Sequence, residues 1–157
     1  MLKVEGFADK LMAVTESHAK EISERLCKAL RENPKTPSFR SMTQNECISH
    51  IMDFFQNLRR IYFCKKPYTE VFEYFTNYAE MRFKAGVPSY EAIYALIMIR
   101  RQIWLVTESH ALVLTGLDLR RSQESINKMI RVFDHGMYAV IKRYEELYAM
   151  EKEQQEA

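Results

Sequence analysis

Glycine and proline are scarce in this chain, four of each in 157 residues. A β-rich fold with many tight turns needs more of both, so the scarcity excludes such a fold and favours long, uninterrupted helices. Cysteine is scarce too. Cys27, Cys47 and Cys64 form no CxxC pair, which excludes a zinc ribbon or a disulfide framework and is the pattern of free thiols in a reducing compartment. No run of about 18 apolar residues occurs. The most apolar stretch, Ala92 to Ile99, is followed at once by Arg100 and Arg101. The opening MLKVEGFADKLMAVTESH holds no apolar segment of signal-peptide length. The expectation is a cytoplasmic chain with no membrane partner. A net charge of +2 supplies no field that would gather nucleic acid.

What is present is a core. Hydrophobic residues make up 47% of the chain, too many for a disordered one. That length supports one domain spanning 1–157. The expected fold is all-α, a single bundle of about five long helices.

The first helix is expected from Phe7 to Glu32, with Phe7, Leu11, Val14, Ile22, Leu26 and Leu30 on its apolar stripe and His18 in register as a core histidine. Asn33-Pro34 ends it, because a residue before proline is pushed out of the α region, and NPKTPSFRS should be a loop. Thr43 and Glu46 make a capping box for the second helix, whose inner face is Ile48, Ile51, Met52, Phe55, Leu58 and Tyr62. Pro67 suits the first turn of the third helix, with Val71, Phe72, Phe75, Tyr78, Ala79 and Phe83 inward. Gly86 is its stop. Ser89 is the expected N-cap of a fourth helix that carries Ile93, Leu96, Ile97, Ile103, Trp104 and Val106 and ends before Gly116. The fifth, long helix, about 119–153, starts after Asp118 as N-cap, and the tail MEKEQQEA should fray. Ile126, Ile130, Phe133, Met137, Val140, Tyr144 and Leu147 follow four–three spacing, a heptad seam. It reads either as the centre of the chain's own bundle or, in part, as a homodimer contact. Gly136 within it is suited to close helix approach, with His135 beside it as a polar contact.

Catalytic and metal constellations are missing. A di-iron bundle needs Glu-x-x-His pairs on two helices, and Glu46 with His50 has no second pair. Cys47 and His50 are at most half of a metal site. His110 follows Glu108 and Ser109, but neighbours one and two apart on a helix do not face each other, so no nucleophilic triad forms. The glycines are too scattered for a phosphate loop. The basic pairs Arg59-Arg60, Lys65-Lys66, Arg100-Arg101 and Arg120-Arg121 read as solvated helix ends. Non-enzymatic work without metal or cofactor is the expectation.

Arg100 and Arg101 interrupt an apolar helix one turn before Trp104. A wide apolar face should carry at least one of them inward, and a buried arginine requires a partner. Tyr94, Trp104 or Glu80 can serve. Two readings stand: a structural ion pair, or an interhelical pocket for an anion or carboxylate near Tyr94, Arg101 and Trp104.

The segment YAEMRFKAGVPSYEAIYALIMIRRQIW, Tyr78 to Trp104, resembles the RsbRD-type N-terminal domain of bacterial co-antagonists of the RsbT kinase. It shares a helix that carries Arg82 and ends at Gly86, then Val87-Pro88, then an amphipathic helix with Glu91, Tyr94, Arg101 and Trp104. RLCKALRENP, Arg25 to Pro34, also fits. Members often carry a C-terminal STAS domain with a phosphorylatable Ser or Thr. The resemblance implies a sensory or regulatory domain, commonly a homodimer, working through contacts with a kinase or STAS-type partner. The same stretch is distantly similar to sensor globins, which implies a globin-like variant of the bundle. Those proteins hold a haem histidine four residues before the equivalent of Gly86. Arg82 stands there, so haem is not expected.

Overall fold

A computed structural model of the chain describes residues 13, 15–109 and 116–157. Phe7, Leu11, Val14 and His110 lie outside them. Among the described residues the architecture is an all-helical bundle with no strand. Helices α1 (Ala19–Glu32), α2 (Gln44–Phe63), α3 (Pro67–Lys84) and α4 (Ser89–Ser109) follow one another through short connections, with a 3-10 turn at Pro37–Ser41 between the first two, and α5 (Gly116–Glu156) completes the order.

α1 is shorter than the expected helix. Residues 15–17 are helical, but His18 sits in a turn at φ −107° and ψ 6°. The break takes His18 out of the apolar register. It is half-buried beside Glu21, 3.6 Å away, and is not a core histidine. Ile22, Leu26 and Leu30 do face inward. The linker expected to be a plain loop contains the 3-10 turn. Buried Thr36 anchors it by donating its hydroxyl to the Leu30 carbonyl at 2.6 Å.

Thr43 and Glu46 form the expected capping box: Glu46 N–H donates to the Thr43 hydroxyl and Thr43 N–H to the Glu46 carboxylate. Hydrogen bonds from the Thr43 backbone N–H and side chain hold the Glu46 carboxyl below its ordinary range. Pro67 opens α3. Gly86 ends that helix at φ 75°. Val87 N–H returns to the Arg82 carbonyl and Gly86 N–H to that of Phe83, the two bonds of a Schellman stop. α4 begins at Ser89 itself, one residue inside the expected cap. The Pro88 carbonyl accepts the first helical bond, from Ala92.

α5 packs most extensively on α3. Its helix starts at Gly116, so Asp118 lies inside the first turn and is not the cap. The tail is helical to Glu156 instead of frayed. Glu, Lys, Gln, Met and Ala are strong helix formers and extend a helix already anchored at Tyr144. A Cβ on Gly136 would stand 2.7 Å from the Phe75 ring. The missing side chain is what lets the two helices approach. That contact turns α5 so that Met129, Val132, Phe133, Ala139, Val140 and Tyr144 are buried, while Ile130 of the expected seam is 39% exposed. Among the residues expected inward on α3 and α4, Phe72, Ile97 and Trp104 are exposed, and Ala92, Ala95 and Ile99 take the inner positions. No helix among the described residues is long and apolar enough to cross a membrane.

Candidate functional site

Between α2 and α3, under the 3-10 turn and against α4, lies a cavity of about 90 Å³. Its floor is apolar: Leu30, Phe54, Ala95 and Ile99. Its mouth is polar, because the exposed residues that line it include His50, Asp53 and Asn77. The wall between carries Arg82.

Arg82 is in register with Phe75 and Ala79 on the inner face of α3, and only 8% of it is exposed. The guanidinium lies between two rings, 5.7 Å from the Phe39 centroid and 5.6 Å from that of Tyr78. Its Nε is shielded from water and has no hydrogen-bond partner. Among the described residues no carboxylate forms an ion pair with it. Taking a guanidinium out of water costs several kcal/mol. Two cation–π contacts return about 2 kcal/mol each at best. The chain therefore holds a buried cation whose charge is not neutralised by an ion pair.

Three groups show that field. Burial and then the Arg82 charge hold His50 below its ordinary value. A hydrogen bond from Cys27 lowers the Cys47 thiol, with burial opposing and Arg82 and Arg31 assisting. Burial raises Tyr78 to about 12 despite the cation, and its hydroxyl donates to the Ala92 carbonyl at 3.0 Å. The site suits holding an anion electrostatically.

The residues singled out in the sequence divide into supports and bystanders. Gly86 and Pro88 make the turn that sets α4 against α3, and the buried Tyr144 hydroxyl fastens it by donating to the Val87 carbonyl at 2.8 Å. Glu91 is buried at 1% exposure and accepts from Ser38 N–H at 3.0 Å. It thereby pins the 3-10 turn that presents Phe39 to Arg82. Arg101 and Trp104 are exposed, and Arg100 pairs with Asp134 at 3.3 Å on the outside of the bundle. Tyr94 carries Lys35 over its ring at 5.1 Å. Glu80 pairs with Arg143. The inward arginine expected on α4 is thus on α3. Its signal was available: 75, 79 and 82 share one stripe, and an arginine there must be either buried or the reason the stripe ends.

Among the described residues no group of three or more His, Cys, Asp or Glu side chains could hold a metal ion. Glu46 is used in its cap. One or both members of three of the basic pairs are engaged in ion pairs, Arg59 with Glu16, Arg60 with Glu70, Arg100 with Asp134 and Arg120 with Glu124. Family models, curated proteins and solved structures were compared with the chain, and none matches.

Proposed function

We propose that the chain is a non-enzymatic regulatory domain that senses a small anion at Arg82 and answers by changing how its helices pack. The observation that carries this reading is the guanidinium, buried, without an ion pair, and facing a cavity. An anion entering from the α2–α3 mouth would supply the missing counter-charge. Its effect would spread because Arg82, Phe39 and Tyr78 are tied to the α3–α4 turn, and that turn is fastened to α5 through Tyr144. The two states would differ in their contacts to the ligand, as any ligand-driven shift requires. The resemblance of Tyr78 to Trp104 to the RsbRD-type N-terminal domain supports a sensory role with a kinase or STAS-type partner and a globin-like variant of the bundle. The pocket reading moves from Arg101 and Trp104 to Arg82.

Thermal denaturation against a panel of small carboxylates and oxyanions tests it. A true ligand at one hundred times its Kd stabilises by about 2.7 kcal/mol, roughly 5–10 °C for a chain of this size. That shift should vanish in Arg82→Met. A shift of equal size in the variant, or none with any anion, rejects the reading.

A specific feature favours a second reading, in which dimerisation is the output. Ile130, Ile141 and Tyr148 are each at least 39% exposed on α5. At 100° per residue they fall within about 20° of one another, beside the half-buried Met137 and away from the stripe that meets α3. A second copy of α5 is the proposed occupant. Sedimentation equilibrium of the wild type and of Ile141→Glu checks it: a wild-type dimer that dissociates in the variant supports the contact, and a wild-type monomer at high concentration removes it.

A further inference from the structure

We propose that the ligand of the cavity is a short-chain aliphatic monocarboxylate, its carboxylate on the Arg82 guanidinium and its tail on the floor made by Leu30, Phe54, Ala95 and Ile99. The inference rests on the reading of Arg82 as an anion site and adds the anion's charge, shape and size.

Charge comes first. The cavity wall holds one guanidinium, Asp53 stands at the mouth, and Glu91 is buried behind the 3-10 turn. A dianion would bring a second charge against a lining that holds no second guanidinium or ammonium, and an uncompensated buried charge is strongly unfavourable. A monoanion neutralises Arg82 and leaves nothing over.

Shape follows from the donors. Guanidinium N–H groups form a planar fork that matches the two oxygens of a carboxylate. Arg82 lines the cavity and makes no ion pair among the described residues, so the terminal N–H groups of its guanidinium are the donors a carboxylate would meet there, the Nε–H being shielded. A tetrahedral oxyanion needs donors around it on several sides. The buried floor of Leu30, Phe54, Ala95 and Ile99 is hydrocarbon, which suits a tail and not oxygen atoms, while His50, Asp53 and Asn77 are exposed at the mouth.

Size follows from the volume. Scaled from a cavity of about 150 Å³ that holds benzene, about 90 Å³ encloses roughly three or four non-hydrogen atoms. A tail of about three or four carbons on the floor, with its carboxylate on the Arg82 wall, makes an acid of about four or five carbons in all.

Calorimetric titration of the full chain with acetate, propionate, butyrate, pentanoate and octanoate tests the idea, with butyramide, phosphate, sulfate and succinate beside them. Kd should fall about fourfold per methylene beyond acetate, reach its minimum at butyrate or pentanoate, and rise again at octanoate. Butyramide should bind at least about 100-fold more weakly than butyrate, and the three oxygen-rich anions should not saturate. Arg82→Met should abolish carboxylate binding. Ile99→Ala, which enlarges the floor, should move the optimum to a longer acid, a readout that does not depend on how Arg82→Met folds. Phosphate, sulfate or succinate binding in preference, lost in Arg82→Met, would overturn the ligand class and leave the anion site standing. Affinity independent of chain length would remove the tail contact and with it the proposal. Equal carboxylate binding in wild type and Arg82→Met, or no binding by any anion, would overturn both.

Discussion

The two faces of α3 meet their neighbours in opposite ways. Toward α5, Val71, Phe75 and Ala79 are buried to within 1% exposure, and Phe75 lies so close to Gly136 that no Cβ fits between. Toward α2, Tyr74 and Tyr78 border a cavity, and Arg82, at the end of the stripe that Phe75 and Ala79 begin, lines it with no carboxylate partner among the described residues. The first face removes space, with Phe75 filling the room that Gly136 leaves on α5. The second keeps space and charge together, at a cost in stability that packing elsewhere must offset. One helix thus carries both a structural seam and a site, and the difference between them is measurable.

The largest effect should come from the sealed face. Phe75→Ala is expected to cost about 3–5 kcal/mol in chemical denaturation, because the hole is enclosed and the side chain is fully buried. Gly136→Ala should also destabilise, by about 1–3 kcal/mol, although alanine is the better helix former by about 1 kcal/mol. The pair should be non-additive by about 1 kcal/mol or more, since a smaller residue at 75 makes room for the new methyl. Additive losses would mean that the close approach is not what Gly136 provides.

The open face should behave in the reverse sense. Arg82→Met removes a buried charge that has no ion pair, so stability should stay level or rise by up to about 2 kcal/mol. A loss of about 3–5 kcal/mol would instead mean that Arg82 and the buried Glu91 act as an internal pair, which breaks the comparison. The contrast with Phe75→Ala on the same helix is the informative measurement.

Gly86→Ala should cost about 1 kcal/mol, because φ 75° is strained for any residue with a Cβ. Space is not the cause there, since a Cβ would meet nothing within 4 Å. The two glycines then separate by mechanism, one conformational and one steric. Melting temperatures of Gly86→Ala and Gly86→Asn check this, with asparagine the milder change.

The smallest effect is a pH slope. Burial and the Arg82 charge keep the folded pKa of His50 below its unfolded value. The unfolded chain therefore takes up the proton first as pH falls. Stability associated with His50 is present above about pH 6.5 and is lost as pH drops through the window below it. His50→Gln should flatten this part of the melting curve between pH 7.5 and 5, and Arg82→Met should flatten it partly. An unchanged slope in both would place the acid sensitivity elsewhere, with the Glu46 cap as the next group to test.

Local signals in the chain were legible wherever one residue type meets one backbone need. The Thr43–Glu46 box, Pro67 at a helix start and Gly86 at a helix end each answer a requirement of the adjacent three or four residues. The inner faces of α2 and α3 were legible in part. Phe54 and Ile61 belong to the inner face of α2 but fall off the stripe chosen from spacing, and Phe72 was placed inward although it is 46% exposed. Of the two readings of the α5 seam, burial in the chain's own bundle does not hold at Ile130, because close approach at Gly136 decides which side of the helix meets α3. Arg82 was marked as a motif position and not as the inward arginine, because Arg100 and Arg101 break an apolar run conspicuously, whereas Arg82 sits quietly at the end of one.

By itself the sequence determined the helical class, most element boundaries and the absence of a long apolar span, because these depend on contacts within a few residues and on composition. Only the tertiary structure decided which arginine is inside. That outcome depends on a 3-10 turn 43 residues away in sequence that brings Phe39 to Arg82, on the Glu91 bond to Ser38 that holds the turn, and on the hand-in-glove fit at Gly136 that orients α3. Burial is a property of neighbours distant along the chain, and a cation's need for a counter-charge becomes visible only when those neighbours are in place.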